Sequence, residues 1–326
     1  MKALVTGGSG FIGSHVVDKL RDHGLEVRVF DMVMPTFRDD LEFYHGSLLD
    51  HEAVRMAMSG IDVVYHLAAV ADVKDVFQDP SYAESINVRG TINVLEAVRR
   101  SGGSVSRVIY GSTTWVYNGA TPAQVDEDTP LQPPIHLYTA TKIASEYYCQ
   151  SYARMYEVPV TILRYGIPYG PRARDGAVVP IFVRKAMAGQ PLTLAGDGSQ
   201  FRKFIYVEDL ADGHVLALKE IATNRIYNLD GTEQVTIKQI AELIGEAIGH
   251  VRIEHVPARP ADFSGKDVSS ERARRELGWQ PKVPFRDGLR RYIAWYRERE
   301  GQRQQAWDAL HDSLKERGAA SGRTVQ

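Results

Sequence analysis

Cysteine is almost absent: Cys149 is the single one in 326 residues, which excludes an internal disulfide framework, and no Cys/His spacing suits a structural zinc site. That usage fits a reducing cytosol, so a cytoplasmic protein without a metal is expected. Charge of one sign is also lacking. The 39 Lys and Arg against 41 Asp and Glu leave a formal net charge of −2, which gives no basis for a nucleic-acid partner. No apolar run approaches the roughly 20 residues that span a bilayer, glycines interrupt the N-terminal apolar stretch, and no signal peptide is evident. No membrane segment is expected. The 44% hydrophobic residues supply ample core, over a length that suits one large or two smaller domains.

Glycine is placed where it counts. Lys2-Ala3-Leu4-Val5-Thr6-Gly7-Gly8-Ser9-Gly10-Phe11-Ile12-Gly13 follows an apparent strand and opens an amphipathic segment, Phe11 to Leu20, that stops at Gly24. Gly7 suits the tight turn, Gly10 has no Cβ to obstruct a pyrophosphate, and Gly13 allows helix and sheet to pack closely at a positive helix end. A second strand, Glu26 to Phe30, ends in Asp31, 18 residues beyond Gly13. An acid there can accept hydrogen bonds from both adenosine ribose hydroxyls and would repel a 2′-phosphate, so NAD is expected over NADP.

Strand and helix patterns then alternate: Val63 to Leu67, Ser85 to Arg100, Arg107 to Tyr110, Tyr138 to Tyr156, Val160 to Arg164. This predicts an α/β fold, a Rossmann-type doubly wound parallel sheet in residues 1–165, with a later returning segment near 204–225. After Arg164 the rhythm breaks among Gly166, Pro168, Gly170, Pro171, Gly176 and Pro180. A smaller C-terminal substrate-binding domain is expected over 166–300, ending in a helix near Arg286 to Arg299. Residues 301–326 read as a polar tail, a frayed helix or disordered.

Tyr138-Thr139-Ala140-Thr141-Lys142 puts Tyr138 and Lys142 four residues apart, on one face of a helix. A phenol of reference pKa about 10 is a poor base at neutral pH. A nearby ammonium and a positive nicotinamide ring favour the phenolate. Ser112 and Thr113 follow a strand, and one hydroxyl of that pair is a candidate catalytic group.

These pieces resemble the extended short-chain dehydrogenase/reductase family, in its NAD-dependent epimerase/dehydratase group acting on nucleotide sugars. The matching units run in order: the glycine segment, Tyr65-His66-Leu67-Ala68-Ala69, Asn87-Val88-Arg89-Gly90-Thr91, Tyr138 with Lys142, Leu163-Arg164-Tyr165, Tyr169-Gly170-Pro171-Arg172, Gly196-Asp197-Gly198-Ser199-Gln200 with Arg202, Val207-Glu208-Asp209-Leu210 and Leu277-Gly278-Trp279. The resemblance implies Tyr138 as base, Lys142 on the nicotinamide ribose, and Thr113 on the sugar hydroxyl that is oxidised. It implies Phe11, Ile12, Leu67, Ala68, Ala69 and Asn87 in the cofactor site. Ser112, Arg174, Arg202, Arg259 and Asp262 fall on the substrate side, Arg202 and Arg259 gripping a diphosphate with planar donors. A homodimer through the region Tyr82 to Arg100 and the Tyr138 helix is implied as well.

Departures from that pattern narrow the reaction. Ser47 replaces the usual adenine-contacting acid, and Ile167 stands where an asparagine is usual, so one polar substrate contact is lost. Sugar 4,6-dehydratases carry an Asp-Glu pair after the catalytic threonine, and the decarboxylases acting on UDP-glucuronate a glutamate, where this chain has Thr114-Trp115. What remains is 4-epimerisation of a UDP-linked sugar through a 4-keto intermediate. Leu137-Tyr138-Thr139-Ala140-Thr141-Lys142 is similar to the glucuronate 4-epimerase unit, and Arg174 falls where those enzymes place an arginine near the sugar carboxylate, although Ile167 replaces their usual threonine. Alternatives stay open: a dehydrogenase or reductase with net redox, a dehydratase or a decarboxylase using other acids, and a non-catalytic NAD-sensing protein.

Overall fold

Seven strands, numbered here along the chain within the main sheet, are β1 (Lys2–Thr6), β2 (Glu26–Asp31), β3 (Glu42–His45), β4 (Val63–His66), β5 (Arg107–Thr113), β6 (Val160–Tyr165) and β7 (Ile226–Leu229). In the computed structural model they lie in the order β3-β2-β1-β4-β5-β6-β7, every neighbouring pair parallel. The structure describes residues 1–249, 251–257 and 266–321, with the backbone alone from 309. Strand order reverses between β1 and β4, and ligands of such sheets bind beyond the carboxyl ends of the strands at that point.

The alternation of the strands explains the layers. Ala3, Val5, Val27, Val29, Val63, Tyr65 and Ile109 face one cluster, which Val16 and Leu20 of the helix Phe11–Asp22 and Leu210 of the helix Val207–Leu216 complete. Leu4, Phe30, Val64, Val108 and Tyr110 face the other, packed by Val94, Leu95 and Cys149 from the helices Gly90–Arg100 and Leu137–Tyr156. Side chains of a strand point to opposite faces. Both faces are therefore covered, as a parallel sheet requires.

A third cluster is drawn from later residues, among them Tyr169, Phe182, Phe204, Ile240, Phe285 and Tyr292. It joins a three-stranded sheet of Ile167–Tyr169, Phe201–Tyr206 and Gln234–Thr236 to the helices Val178–Met187 and Ile237–Ile248. The chain returns to the main sheet as β7, just past the expected 204–225 range. The last helix takes in much of the stretch read as a frayed helix or a disordered tail. It starts at Phe285 and continues to Ser321, because Gln, Arg, Ala, Glu and Lys after residue 300 are good helix formers and no proline interrupts them. Among the described residues no helix is long and apolar enough to cross a membrane.

Candidate active site

The glycine loop is a close-fitting backbone cradle. Gly7 has φ +72°, and a Cβ there would lie 2.7 Å from the Ala68 backbone. A Cβ on Gly13 would fall 2.1 Å from the Gly7 carbonyl oxygen, so no larger residue fits where the helix begins. Gly10 is the N-cap of that helix, its amide donating to Gly7 O at 3.1 Å. Asp31 at the end of β2 ties the loop down: its Oδ2 accepts from Ser9 N and its Oδ1 from Val33 N, each at 3.1 Å. Phe11 and Ile12 line the same cleft, of about 500 Å³, opposite Leu67, Ala68 and Ala69. Backbone amides at a helix end, an elongated cleft and an acid at the far strand fit a dinucleotide.

Asn87 sits in a π-helical turn, Ser85–Arg89, and its hydrogen bonds are spent on the scaffold. It brackets Val70 through both N (2.8 Å) and O (3.0 Å) and donates to Thr141 Oγ1 at 2.9 Å. Thr141 in turn donates to Tyr138 O at 2.8 Å. Asn87 thus joins the wall of the cofactor cleft to the turn that carries Tyr138.

Tyr138 and Lys142 lie in the first turns of the helix Leu137–Tyr156. Burial pushes the Tyr138 phenol up to about 12, with the Arg174 charge pulling it back. Burial also pushes the Lys142 ammonium down to about 8, against the carboxylate of Glu146 one turn on. Lys142 Nζ donates to Gly111 O at 2.7 Å and lies 3.3 Å from the Tyr110 hydroxyl. At the phenol, then, burial outweighs the Arg174 charge, and the Lys142 ammonium is turned to Gly111 and Tyr110.

The two hydroxyls after β5 divide. Ser112 donates to Glu146 Oε1 at 2.5 Å, within a buried set in which Arg164 clasps Glu146 at 2.6 Å and reaches Tyr117 at 2.6 Å. Thr113, buried, accepts from Trp115 N at 3.2 Å and ends the strand. Glu146 and Arg164 are 1% and 3% exposed; this pair pins the Tyr138 helix to β6, and it escaped the sequence reading because a buried ion pair leaves no short motif. The identical spacing of Lys142 and Glu146, one helical turn, was its only signal.

On the substrate side, Arg202 lies on the strand Phe201–Tyr206, its Nη1 donating to Phe201 O at 2.7 Å. It shares a small pocket with Thr114, Trp115 and Ile167. Arg174 lines the cofactor cleft, 54% exposed and 3.8 Å from Asp72. Arg259 and Asp262 lie outside the described residues. Trp115 packs against His136, ring centroids 5.7 Å apart, and the residue sequence reading missed on this side is Asp230, at the end of β7.

The sequence and the fold both have counterparts among known proteins. The NAD dependent epimerase/dehydratase family model matches residues 3–230. The chain is 32% identical to the UDP-N-acetyl-alpha-D-glucosaminuronate decarboxylase of Bacillus cytotoxicus over 92% of its length and 98% of that protein's. It is 30% identical to the dTDP-D-glucose 4,6-dehydratase of Homo sapiens, over 91% and 90%. Among solved structures, the UDP-glucose 4-epimerase of Thermus thermophilus in complex with NAD superposes with a TM-score of 0.83 at 34% identity, covering 91% of this chain and 99% of that one. The relatives are named for different reactions on nucleotide sugars at similar identity. With the glycine cradle, Asp31 and the Tyr138/Lys142 helix in place, the chain belongs to the NAD-dependent epimerase/dehydratase family.

Proposed function

We propose that the protein interconverts C4 epimers of a UDP-linked hexose. The observation that carries the reading is the turn after Thr113: Thr114 and Trp115 stand there, and the indole against His136 can neither give nor take a proton in an elimination. Gly7, Gly10, Gly13 and Asp31 would hold NAD, which when bound supplies a reversible hydride acceptor and a positive ring charge that draws the phenol towards phenolate. Thr113 orients the C4 hydroxyl, and the Tyr138 oxygen removes its proton. Lys142, once turned from Gly111 O, holds the nicotinamide ribose and steadies the phenolate. The resulting ketone turns within the site, and Tyr138 returns the proton to the oxygen as the opposite face is reduced.

Arg202 supports a diphosphate, since it lies beside Thr114 and Trp115 in the pocket next to the expected sugar position. Arg174 supports a second reading, UDP-glucuronate, because a C6 carboxylate could replace Asp72 as its partner. Exposed Tyr82, Tyr147 and Tyr148 support pairing of two chains through the helices that bear them. Separate incubation with UDP-glucose, UDP-N-acetylglucosamine and UDP-glucuronate, followed by proton NMR and mass spectrometry, tests the reaction. A C4 epimer of unchanged mass is expected. Loss of about 18 or about 44 mass units would mean a dehydratase or a decarboxylase and overturn it. If UDP-glucuronate is the preferred substrate, Arg174→Ala removes that preference while neutral sugars still turn over.

A further inference from the structure

The register of the sheet aligns Thr113, Tyr165 and Leu229 across β5, β6 and β7. One position further along each chain stand Thr114, Gly166 and Asp230. Adjacent strands are about 4.8 Å apart, so Asp230 starts about 10 Å from the backbone of Thr114. Its side chain closes part of that span. A Cβ on Gly166 would fall 1.9 Å from Oδ1 of Asp230, so the carboxyl lies across the bare face of Gly166, leaning from β7 towards β5. There it lines, with Thr114, Trp115, Ile167, Arg202 and Lys203, a pocket of about 30 Å³, room for about one water or one hydroxyl group.

Asp230 is 4% exposed. Among the described residues, the hydrogen bond its carboxyl makes is to the amide of Gly231, at 2.8 Å, whereas a carboxylate has about four acceptor sites. A buried carboxylate left short of donors is costly, and a substrate hydroxyl would relieve that cost. The charged groups facing it are committed elsewhere. Lys203 holds Asp267 and Val268 O, and Lys266 donates to Ala120 O and Pro122 O at 2.6 and 3.0 Å. Arg202 donates to Phe201 O. Burial pushes the Asp230 carboxyl up to about 7, Lys203 lowering it and Asp267 raising it.

We propose that Asp230 is a specificity-determining residue whose carboxylate accepts a hydrogen bond from a hydroxyl of the sugar held at Thr113, replacing the polar contact that Ile167 does not offer. The inference rests on the nucleotide-sugar reading above. Gly166 is the enabling residue, since any side chain there would displace the carboxyl.

Titration calorimetry of the full chain with NAD tests it, using UDP and UDP-glucose as probes. Asp230→Asn, which keeps shape and loses charge, should weaken UDP-glucose by about 10- to 100-fold and leave UDP unchanged. The parent's affinity for UDP-glucose should fall as pH drops through about 7, and the variant's should be flat across that range. Gly166→Ala should weaken UDP-glucose likewise, and the double variant should be no weaker than either single one. Should Gly166→Ala not fold, Asp230→Asn decides alone. Unchanged UDP-glucose binding in Asp230→Asn, equal weakening of UDP, or lost turnover with intact binding would each overturn the assignment while leaving the epimerase reading standing. A parent protein that holds NAD and binds no UDP-sugar would remove both.

Discussion

At the scale of single residues, the site sets two titrating groups against their usual ranges by burial. Tyr138 is held near 12 and Lys142 near 8, so the phenol needs further positive charge before it can act near neutrality. Tyr138→Phe keeps the ring and deletes the oxygen. It should lower turnover by about 10²- to 10⁴-fold, the usual contribution of general acid–base catalysis, without moving the melting temperature. Full activity in a folded Tyr138→Phe protein, measured by NMR of the epimer, would take Tyr138 out of the mechanism. The division of Ser112 from Thr113 belongs to this scale too. Neighbouring residues of a strand point to opposite faces, and Ser112 is turned to Glu146.

At the scale of elements, the most legible pieces were those whose backbone admits few residue types. Gly7 and Gly13 are readable because a Cβ would strike the opposing chain, and the parallel strands are readable because both their faces are apolar. Asp31 links two such elements, the glycine loop and β2. Asp31→Ala with Val33→Arg should weaken NAD binding by about 10- to 100-fold, through loss of hydrogen bonds to an ionised acceptor, and move preference towards NADP. Tighter binding of NADP than NAD by the unmodified protein, in calorimetry, would refute the role given to Asp31. What escaped reading depends on pairing between distant segments. Asp230 meets Gly166 across 64 residues of sequence, and that encounter exists only once β7 is in register with β6. The helix past residue 300 stood as one of two readings, a frayed helix or disorder, because without a repeating apolar face its continuation rests on weak intrinsic propensity.

At the scale of the whole molecule, three buried histidines make stability depend on pH. Burial lowers His66 to about 3 and His15 and His214 to about 4, so the native state keeps them neutral where the unfolded chain, near 6.5, takes up protons. Stability from these groups is present above about pH 6.5 and is lost as pH falls towards 4. Asp230 acts oppositely: its raised carboxyl favours the native state at low pH, and that contribution is lost as pH rises through about 7. Burial raises the Glu127 carboxyl as well, in the same sense as Asp230; three against two leaves a net loss on acidification, about 1.4 kcal/mol per pH unit for each net proton. Urea unfolding at pH 7, 6 and 5 should show falling stability; a rise would contradict the neutral histidines. One feature of the sheet also governs how the chain comes into being. During synthesis β6 emerges some 60 residues before its partner β7; until then the nascent sheet carries an unpaired, apolar border open to neighbouring chains. A fragment stopped at residue 165 would keep that border permanently, since the strand that closes it is made only after about 60 further residues have been translated.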